Sequence, residues 1–546
     1  MKVWLKVKEG RAGIVLSLCF SFLVMIYAPL EMFFYNTDDF WFNFTTIFPV
    51  CFTLFFLLWM IGSLFFVLLN TLNTQIYYIG FFVTFVALVS TYIQGTFLVD
   101  NLPPMDGTDI DWEQYHIENY ETIILWFVVL ICCLLLIKFG KISFFLKLTE
   151  GTSVFLFLIL SVSIIFSGIM TSGYKNKDIL VATDKDEFEF SRDTNFLIFV
   201  LDAVDAGTVT QILETDEESR EVFEDFTYFD NVVCTYPFTK YSMPFILSGK
   251  WYKNEEPPME YFRDAIQDSP LIQEIESQYK MEIYSDSIPV VAEGNENRFA
   301  NMISDYGYVA SYKQFVKGVV KLAGIRYAPY PLKKICYNVL ERFEQARGIE
   351  ASIDDEQVYT WNNKELCQRI KDEAVSYTSS KVFKLVHVQG AHVPYQYNKN
   401  VEKIENGTYL GNVEASITIA SRYLDQLKKY NVYDNSVIII MADHGYNVEG
   451  LEGRQNPILF IKGLEERHAM KTSSIPVSYD DLQDAYQLLI KGESSDNIFP
   501  WEENQIRQRT YILYKYEEEE KMYEYTTDGK ATETEKMKPT GREFFR

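Results

Sequence analysis

Histidine and cysteine are scarce in this sequence, and acidic residues outnumber basic ones. The 546 residues include five His, seven Cys, 50 Lys or Arg and 75 Asp or Glu, which gives a net charge of −25. Nucleic-acid binding needs basic surfaces that neutralise phosphates, so nucleic acid is excluded as a partner. Outside the apolar runs only Cys234, Cys336 and Cys367 remain, without a Cys-x-x-Cys pair. A disulfide framework and a thiolate zinc site are therefore excluded.

Charged residues are nearly absent from five long apolar runs in the first third of the chain. A membrane-spanning helix needs about 20 such residues. A cleaved signal peptide is the alternative for the first run, but that run is long, lacks a small-residue cleavage site and precedes four more. The sequence predicts a membrane domain, residues 1–171, with five transmembrane helices. The runs cover residues 12–34, 46–70, 76–98, 121–137 and 153–171.

The positions of Lys and Arg predict how these helices are oriented. Basic residues precede the first run and recur at 138–147, whereas the connections at 35–45 and 99–120 contain acidic residues and no Lys or Arg. Basic connections remain in the cytoplasm. Five crossings then place everything after the last run outside the cell, so we expect a multi-pass cell-membrane protein with an extracellular enzyme domain.

After a polar linker at 172–194, short apolar runs alternate with helix-like segments such as 416–430. Runs of this kind are typical of strands covered on both faces, and the alternation indicates a mostly parallel sheet with helices on both faces. We predict an α/β catalytic domain at 195–500. Residues 501–546 alternate polar and apolar and contain a hairpin-turn signal, Asp528-Gly529. A small β-rich hairpin extension packed on that domain is expected there.

Polar side chains follow the predicted strands, at the ends where α/β sheets bind their ligands. Asp202 follows the first strand, and a carboxylate there is either a metal ligand or a helix cap. Thr239 begins the motif Thr-x-x-Ser-x-Pro ahead of an apparent helix, whose N-terminal N–H groups would stabilise an anion. Taken alone, the same threonine is equally well explained as a helix cap.

Three of the five histidines fall in two further strand-end clusters. His387 and His392 belong to His-x-x-Gly-x-His-x-Pro-Tyr, and Asp443-His444-Gly445 follows an isoleucine-rich run. Carboxylate oxygens and imidazole nitrogens together suit Zn²⁺ or Mn²⁺. A packed histidine or a turn explains any one cluster, but their joint occurrence favours a metal site.

This ordered set of motifs resembles the alkaline phosphatase/sulfatase-like superfamily. With five preceding spans, the chain resembles membrane-anchored transferases that include lipoteichoic acid synthases and phosphoethanolamine transferases. The resemblance implies an alkaline phosphatase-like fold and a catalytic nucleophile, Thr239. It implies a divalent metal ion, Zn²⁺ or Mn²⁺, bound by Asp202, Thr239, Asp443 and His444. It also implies substrate contacts by His392, His387, Ser242 and Arg454.

The chain also departs from these relatives. It lacks the histidine usually found some ten residues after Asp-His-Gly, where Arg454 is the nearest cation, so we expect one metal ion rather than two. Asp202 stands where the transferases carry Glu. Cys234 precedes the nucleophile loop, but Phe245 occupies the position of its disulfide partner in the phosphoethanolamine enzymes.

The resemblance implies transfer of a phospho head group, phosphoglycerol rather than phosphoethanolamine, from a membrane phospholipid to a cell-surface polysaccharide or polymer. A phosphodiesterase or phosphatase that uses water shares the same residues. A sulfatase would need Cys or Ser in Cys/Ser-x-Pro-x-Arg, which the residues from Cys234 do not provide. A non-catalytic partner of polysaccharide export is the third alternative.

The orientation can be tested with reporter fusions to the full membrane domain. A reporter active only outside the cytoplasm, fused after Tyr174, should be active, because five crossings separate it from the cytoplasmic N-terminus. The matched fusion within 138–147 should be inactive. Activity of a cytoplasm-only reporter after Tyr174 would contradict both the span count and the localisation.

Overall fold

The computed structural model describes residues 2–37, 40–99, 102, 110, 112–140, 142–175, 179–292, 294–305, 308–348, 357–446, 454–514 and 521–545. Its first 170 residues form five helices that are long and apolar enough to cross a membrane. The predicted five-helix module is confirmed. The first span joins α1 (Lys2–Phe22), a π-helical turn (Leu23–Tyr27) and α2 (Ala28–Tyr35). The others are α3 (Phe44–Leu72), α4 (Thr74–Phe97), α5 (His116–Gly140) and α6 (Ile142–Met170).

Twelve shorter helices follow in the described part of the chain. They are α7 (Ala206–Thr215), α8 (Glu217–Glu221), α9 (Thr239–Ser248), α10 (Pro258–Gln267), α11 (Pro270–Glu276), α12 (Ile288–Ala292), α13 (Tyr312–Tyr327), α14 (Tyr330–Lys333), α15 (Val339–Glu344), α16 (Asn363–Asp372), α17 (Tyr409–Lys429) and α18 (Leu482–Ile490).

Strands occur only after the last span in the described residues. They are β1 (Ile179–Ala182), β2 (Glu189–Ser191), β3 (Asn195–Leu201), β4 (Thr227–Phe229), β5 (Val232–Val233), β6 (Tyr279–Tyr284), β7 (Met302–Asp305), β8 (Tyr308–Val309), β9 (Arg347–Gly348), β10 (Ser376–Thr378), β11 (Lys381–Val388), β12 (Ser436–Met441), β13 (Leu459–Lys462), β14 (Lys471–Ser473), β15 (Val477–Ser478), β16 (Arg509–Tyr514), β17 (Lys521–Thr527) and β18 (Lys538–Phe545). Two of them, β1 and β2, lie inside the predicted linker.

A seven-stranded sheet forms the centre of the region after the last span, in the order β14-β4-β13-β12-β3-β11-β6. Strands β12, β3, β11 and β6 are mutually parallel neighbours, and β13 pairs antiparallel with β12 and β4. Phe196 and Phe199 point to opposite faces of β3. The Phe196 ring contacts Tyr486 of α18 at 5.8 Å, and Phe199 stacks on Tyr423 of α17 at 4.8 Å. The mostly parallel sheet with helices on both faces is therefore confirmed.

Strand β6 was not predicted, because charged residues interrupt its apolar pattern. Glu282 lies directly opposite Lys384 of β11, and both side chains are fully buried. Lys384 Nζ lies 2.7 Å from Glu282 Oε2 and also donates to the Asp186 carbonyl at 2.6 Å. A buried charge is tolerated when it is paired and hydrogen-bonded in this way.

The chain ends in a three-stranded antiparallel sheet, β16-β17-β18, which confirms the small β-rich extension. Asp528-Gly529 lies in the connection between β17 and β18. Arg509 is buried at the start of β16, and its guanidinium donates to the carbonyls of Asn231 at 2.7 Å and Val477 at 3.1 Å. These bonds attach the extension to the rest of the region that contains the seven-stranded sheet.

The chain divides into two compact units, and the division differs from the predicted domains. A helical unit comprises Met1–Ile179 and Asp305–Glu350, and a sheet unit comprises Leu180–Ser304 and Ala351–Arg546. Residues 305–350 were predicted to lie in the catalytic domain. They instead pack with the spans, because α13 and α15 present apolar side chains such as Phe315 and Phe343 to Phe42.

Phe460 can be used to test the packing of the sheet unit. Its ring stacks between Phe223 at 4.0 Å and Tyr228 at 4.4 Å, and it is fully buried. Phe460→Ala should destabilise the unit by about 3–5 kcal/mol through lost burial and a cavity. Thermal unfolding of the full chain in detergent should show this, whereas Ile506→Ala, at a side chain 83% exposed, should change little. Equal melting temperatures would contradict the described core.

Candidate active site

Thr239 is the first residue of α9 and stands between two carboxylates. Its Oγ1 donates to Asp443 Oδ2 at 2.7 Å and lies 3.3 Å from Asp202 Oδ2. The N-cap residue is Phe238, whose side chain makes no capping bond, so the hydroxyl does not serve as the helix cap. The start of a helix also presents backbone N–H groups that attract an anion.

The two carboxylates come from neighbouring parallel strands. Asp202 directly follows β3, and Asp443 lies two residues beyond the end of β12, so both lie at the same edge of the sheet. Asp443 Oδ1 accepts from the backbone N–H groups of Ala203 at 3.2 Å and His444 at 2.8 Å. Its other oxygen is therefore the one that faces Thr239.

His444 completes a group that fits a divalent cation. Its Nδ1 donates to the Gly445 carbonyl at 2.7 Å, which leaves Nε2 at 3.5 Å from Asp443 Oδ2 and 3.9 Å from Asp202 Oδ1. One ligand atom each from Asp202, Asp443 and His444 lies within 4.8 Å of the others. Asp202 Oδ1 is buried without a hydrogen-bond partner among the described residues. A bound cation would satisfy this oxygen, and the oxygen and nitrogen set suits Zn²⁺ or Mn²⁺.

The protonation states agree with this fit. Burial, and beyond it the charge of Arg454, holds the pKa of His444 below its usual range, so the ring is the neutral form that a ligand needs. Burial alone would raise the pKa of Asp202. The charge of His392 and the hydrogen bond from His387 outweigh it and hold that pKa well below its usual range.

His387 is fully buried, and both of its ring nitrogens are engaged. Nε2 lies 3.2 Å from Asp202 Oδ2, and Nδ1 lies 3.1 Å from Ser285 Oγ. This arrangement differs from the predicted substrate contact, because no ring edge remains for a ligand. His387 holds the Asp202 carboxylate in place.

His392 is oriented differently from His387. It is half-buried, and Nδ1 donates to the Val393 carbonyl at 2.8 Å, which leaves Nε2 for a substrate. The indole of Trp361 lies 5.5 Å from both histidine rings and fixes their planes. This geometry is compatible with the predicted role of His392 beside the substrate.

Ser242 and Arg454 support the site through other contacts than those predicted. Ser242 is buried, and its Oγ donates to the Asp443 carbonyl at 2.5 Å. It orients Asp443 and is too enclosed to touch a substrate. The carbonyl of Arg454 accepts from the Gly445 N–H at 2.8 Å, and the Arg454 charge acts on His444.

Two glycines of the motifs are required by close backbone approaches. Gly390 has φ +58, and a Cβ there would lie 2.5 Å from the Asp202 backbone nitrogen. A Cβ at Gly445 would lie 2.8 Å from the backbone of Asn456. A side chain at either position would displace the loops that carry Asp202 and His444.

Sequence reasoning missed several residues that support these groups. Ser285 and Asp286 follow the unpredicted β6, and Asp286 Oδ1 lies 3.9 Å from His387 Nδ1. Asn363, at the start of α16, bonds both backbone groups of Gly390 at 2.8 and 2.9 Å. Strand-end polarity at Ser285-Asp286 was a usable signal. No local signal marked Asn363.

No family model matches the chain, and no curated protein matches it in sequence. Solved structures do align with it. The structure of Ps i-CgsB in complex with k-i-k-neocarrahexaose shares 16% identity, with 61% of this chain and 82% of that chain covered, at a TM-score of 0.37. A protein in the alkaline phosphatase superfamily from Vibrio parahaemolyticus shares 12%, with 66% and 85% covered, at 0.34. The phosphonate monoester hydrolase from Silicibacter pomeroyi shares 11%, with 63% and 88% covered, at 0.35.

Metal analysis can test the cation site against a second acidic group. Asp443→Asn should lower the metal bound to the full chain by about tenfold or more, because an anionic ligand is lost. Elemental mass spectrometry gives both the amount and the identity of the metal. The control is Glu189→Gln, in the group of Asp186, Glu189 and Glu282, whose carboxylates already pair with Lys280 Nζ at 2.5 to 2.8 Å. If only the control variant loses metal, the ion is bound by the group that contains Glu189, and the proposed site at Asp443 is wrong.

Proposed function

We propose that this chain is a metal-dependent transferase that moves a phospho head group from a membrane phospholipid to a cell-surface polysaccharide or polymer. The observation that carries the proposal is the Thr239 hydroxyl, held at a helix start between two buried carboxylates. A threonine in this place is a nucleophile when its oxygen is activated and the attacked group is anionic.

The transfer takes two displacements. The Thr239 oxygen attacks phosphorus, a Thr239 Oγ–P bond forms, and the bond from phosphorus to the diacylglycerol oxygen breaks. In this proposal His392 Nε2 gives a proton to that leaving oxygen. An acceptor hydroxyl then loses its proton to His392 and attacks phosphorus, which breaks the Oγ–P bond and restores the threonine. The Thr239 proton passes to Asp443 Oδ2, its hydrogen-bond acceptor, in the first step and returns to the Thr239 oxygen in the second.

One divalent ion, Zn²⁺ or Mn²⁺, completes the site in this proposal. It would be held by Asp202, Asp443, His444 and the Thr239 oxygen, and it would lower the pKa of that hydroxyl. Asp443 Oδ2 already accepts the hydroxyl's hydrogen at 2.7 Å, so the oxygen lone pairs point away from the carboxylate. Ser242 holds Asp443 in position, and His387 holds the carboxylate of Asp202.

Two features of the chain support the choice of donor and acceptor. Five apolar helices on the same chain would keep the enzyme at a membrane, where a lipid donor is concentrated. Three tyrosine rings lie beside the Asp-His-Gly loop, with Tyr409 and Tyr446 stacked at 4.1 Å and Tyr395 at 6.2 Å from Tyr446. Aromatic faces of this kind pack against sugar rings, which fits a glycan acceptor.

Phosphoglycerol is the proposed head group in preference to phosphoethanolamine. The phosphoethanolamine enzymes that the sequence resembles close the nucleophile loop with a disulfide. Here Cys234 is a buried free thiol whose Sγ lies 3.1 Å from the Arg454 carbonyl, and Phe245 is a core residue. The nucleophile loop is held by packing rather than by a disulfide. The phosphoethanolamine enzymes, which depend on that disulfide, are therefore a poorer guide to the substrate of this chain.

Intact-mass analysis of the full chain in lipid nanodiscs tests the proposal. With phosphatidylglycerol we expect a phosphoglycerol adduct on the wild type. Thr239→Ala should abolish the adduct and lower turnover by about a thousandfold or more, because no other hydroxyl holds that place. Thr239→Ser should retain both in part. The matched control, Ser248→Ala at the far end of α9, should behave as wild type.

Further measurements distinguish the transferase from a phosphodiesterase and a sulfatase. Ser242→Ala should lower turnover about tenfold, the effect of one lost orienting hydrogen bond, with the adduct still formed. Adduct turnover by water at the same rate with and without glycan acceptor would indicate a phosphodiesterase. Cleavage of an aryl sulfate ester in preference to a phosphodiester would indicate a sulfatase. An adduct that persists in Thr239→Ala would overturn the nucleophile assignment.

A further inference from the structure

Residues 308–348 carry a charge opposite to that of the whole chain. The chain has 75 acidic and 50 basic residues, yet this stretch contains eight basic residues and two glutamates. The basic residues are Lys313, Lys317, Lys321, Arg326, Lys333, Lys334, Arg342 and Arg347. A basic helical segment with apolar side chains interspersed is typical of elements that lie on a membrane surface.

This basic segment belongs to the same compact unit as the five spans. Its helix α13 is fixed by Glu31, a buried residue of the first span. Glu31 accepts from Tyr327 at 2.9 Å and lies 3.5 Å from the guanidinium of Arg326. Arg326 Nε also donates to the Gly95 carbonyl at the end of α4, at 2.7 Å. The segment therefore has a defined place in the helical unit.

That place is one rim of the helix bundle. Trp41, in the connection after the first span, donates to the Phe343 carbonyl at 3.0 Å. Trp112, ahead of α5, contacts Tyr337 at 5.0 Å and Tyr330 at 6.5 Å. These contacts lie at span ends, and Trp and Tyr concentrate where spans meet the interface between membrane and water. The segment thus lies at the depth of lipid head groups.

The outer surface of the segment combines exposed apolar and basic side chains. Leu332 and Ile335 are 50% and 66% exposed. Lys313, Lys317 and Lys334 are exposed, and no carboxylate of the described residues lies within ion-pair distance of them. The neighbouring Lys333, in contrast, is buried inside the unit, where its ammonium group donates to the Arg326 carbonyl at 2.9 Å. Among the residues that the structure describes, the three outer lysines have no such internal partner.

We propose that residues 312–335 form a membrane-surface element that binds the head groups of anionic phospholipids. Leu332 and Ile335 enter the boundary between head groups and acyl chains, and the three outer lysines contact lipid phosphates. Charge complementarity and the attachment to span ends favour this occupant over a protein partner. The proposal does not depend on the transfer reaction, since it concerns the helical unit alone.

Photo-crosslinking in the full chain tests the proposal. A benzophenone amino acid in place of Ile335 should form adducts with phosphatidylglycerol in nanodiscs, detected by mass. The matched probe replaces Ile506, which is exposed but lies in the sheet unit. We expect the lipid yield at Ile335 to exceed that at Ile506 by about fivefold or more, and to fall in neutral phosphatidylcholine.

Charge variants complete the experiment. Lys313→Gln, Lys317→Gln and Lys334→Gln together should remove the preference for phosphatidylglycerol, while some apolar crosslinking remains. The control carries the same number of Lys→Gln changes at Lys364, Lys371 and Lys429, which are exposed in the sheet unit, and should behave as wild type. Equal lipid yields at the two probe positions, a yield indifferent to lipid charge, or crosslinking only to protein would overturn the proposal.

Discussion

Two carboxylates, those of Asp202 and Asp443, lie side by side in the interior of the sheet unit, and the rest of the site is arranged to keep them there. Like charges in a low-dielectric place repel and favour protonation unless other groups compensate. His387 and two backbone N–H groups compensate in part, and Ser242 fixes the Asp443 backbone. The remaining negative charge both attracts a cation and directs the Thr239 hydroxyl.

The central sheet delivers these groups to one edge because its three middle strands are parallel and in register. Val200 of β3 lies opposite both Met441 of β12 and His387 of β11. Side chains beyond that level therefore meet without long loops. Gly390 and Gly445 then allow neighbouring backbones to approach within distances that a Cβ would block. The geometry of the candidate site is a consequence of strand pairing, and the loops add only short turns.

The sequence was informative wherever local pattern decides structure. Five runs nearly free of charge and several buried strands were visible because burial leaves mostly apolar residues, and polar residues at the ends of such strands marked Asp202, His387 and Asp443. The sequence did not show which residues far apart in the chain pair with each other. Strand β6 carries Glu282, whose burial is acceptable only opposite Lys384, and α13 is held by Glu31, 296 residues before Tyr327. Which nitrogen of His387 or His392 is engaged also depends on those distant partners.

The helical unit is built from two separate stretches of chain, and this bears on whether proteolysis can separate the sheet unit from the spans. A protease that cuts between the last span and Leu180 would sever only one connection. The chain would still run from Ser304 into the helical unit and return at Ala351. Helix α13, with Phe315 and Val319 buried among the spans, would hold the cleaved product in place. Release of the sheet unit would require cuts on both sides of that segment.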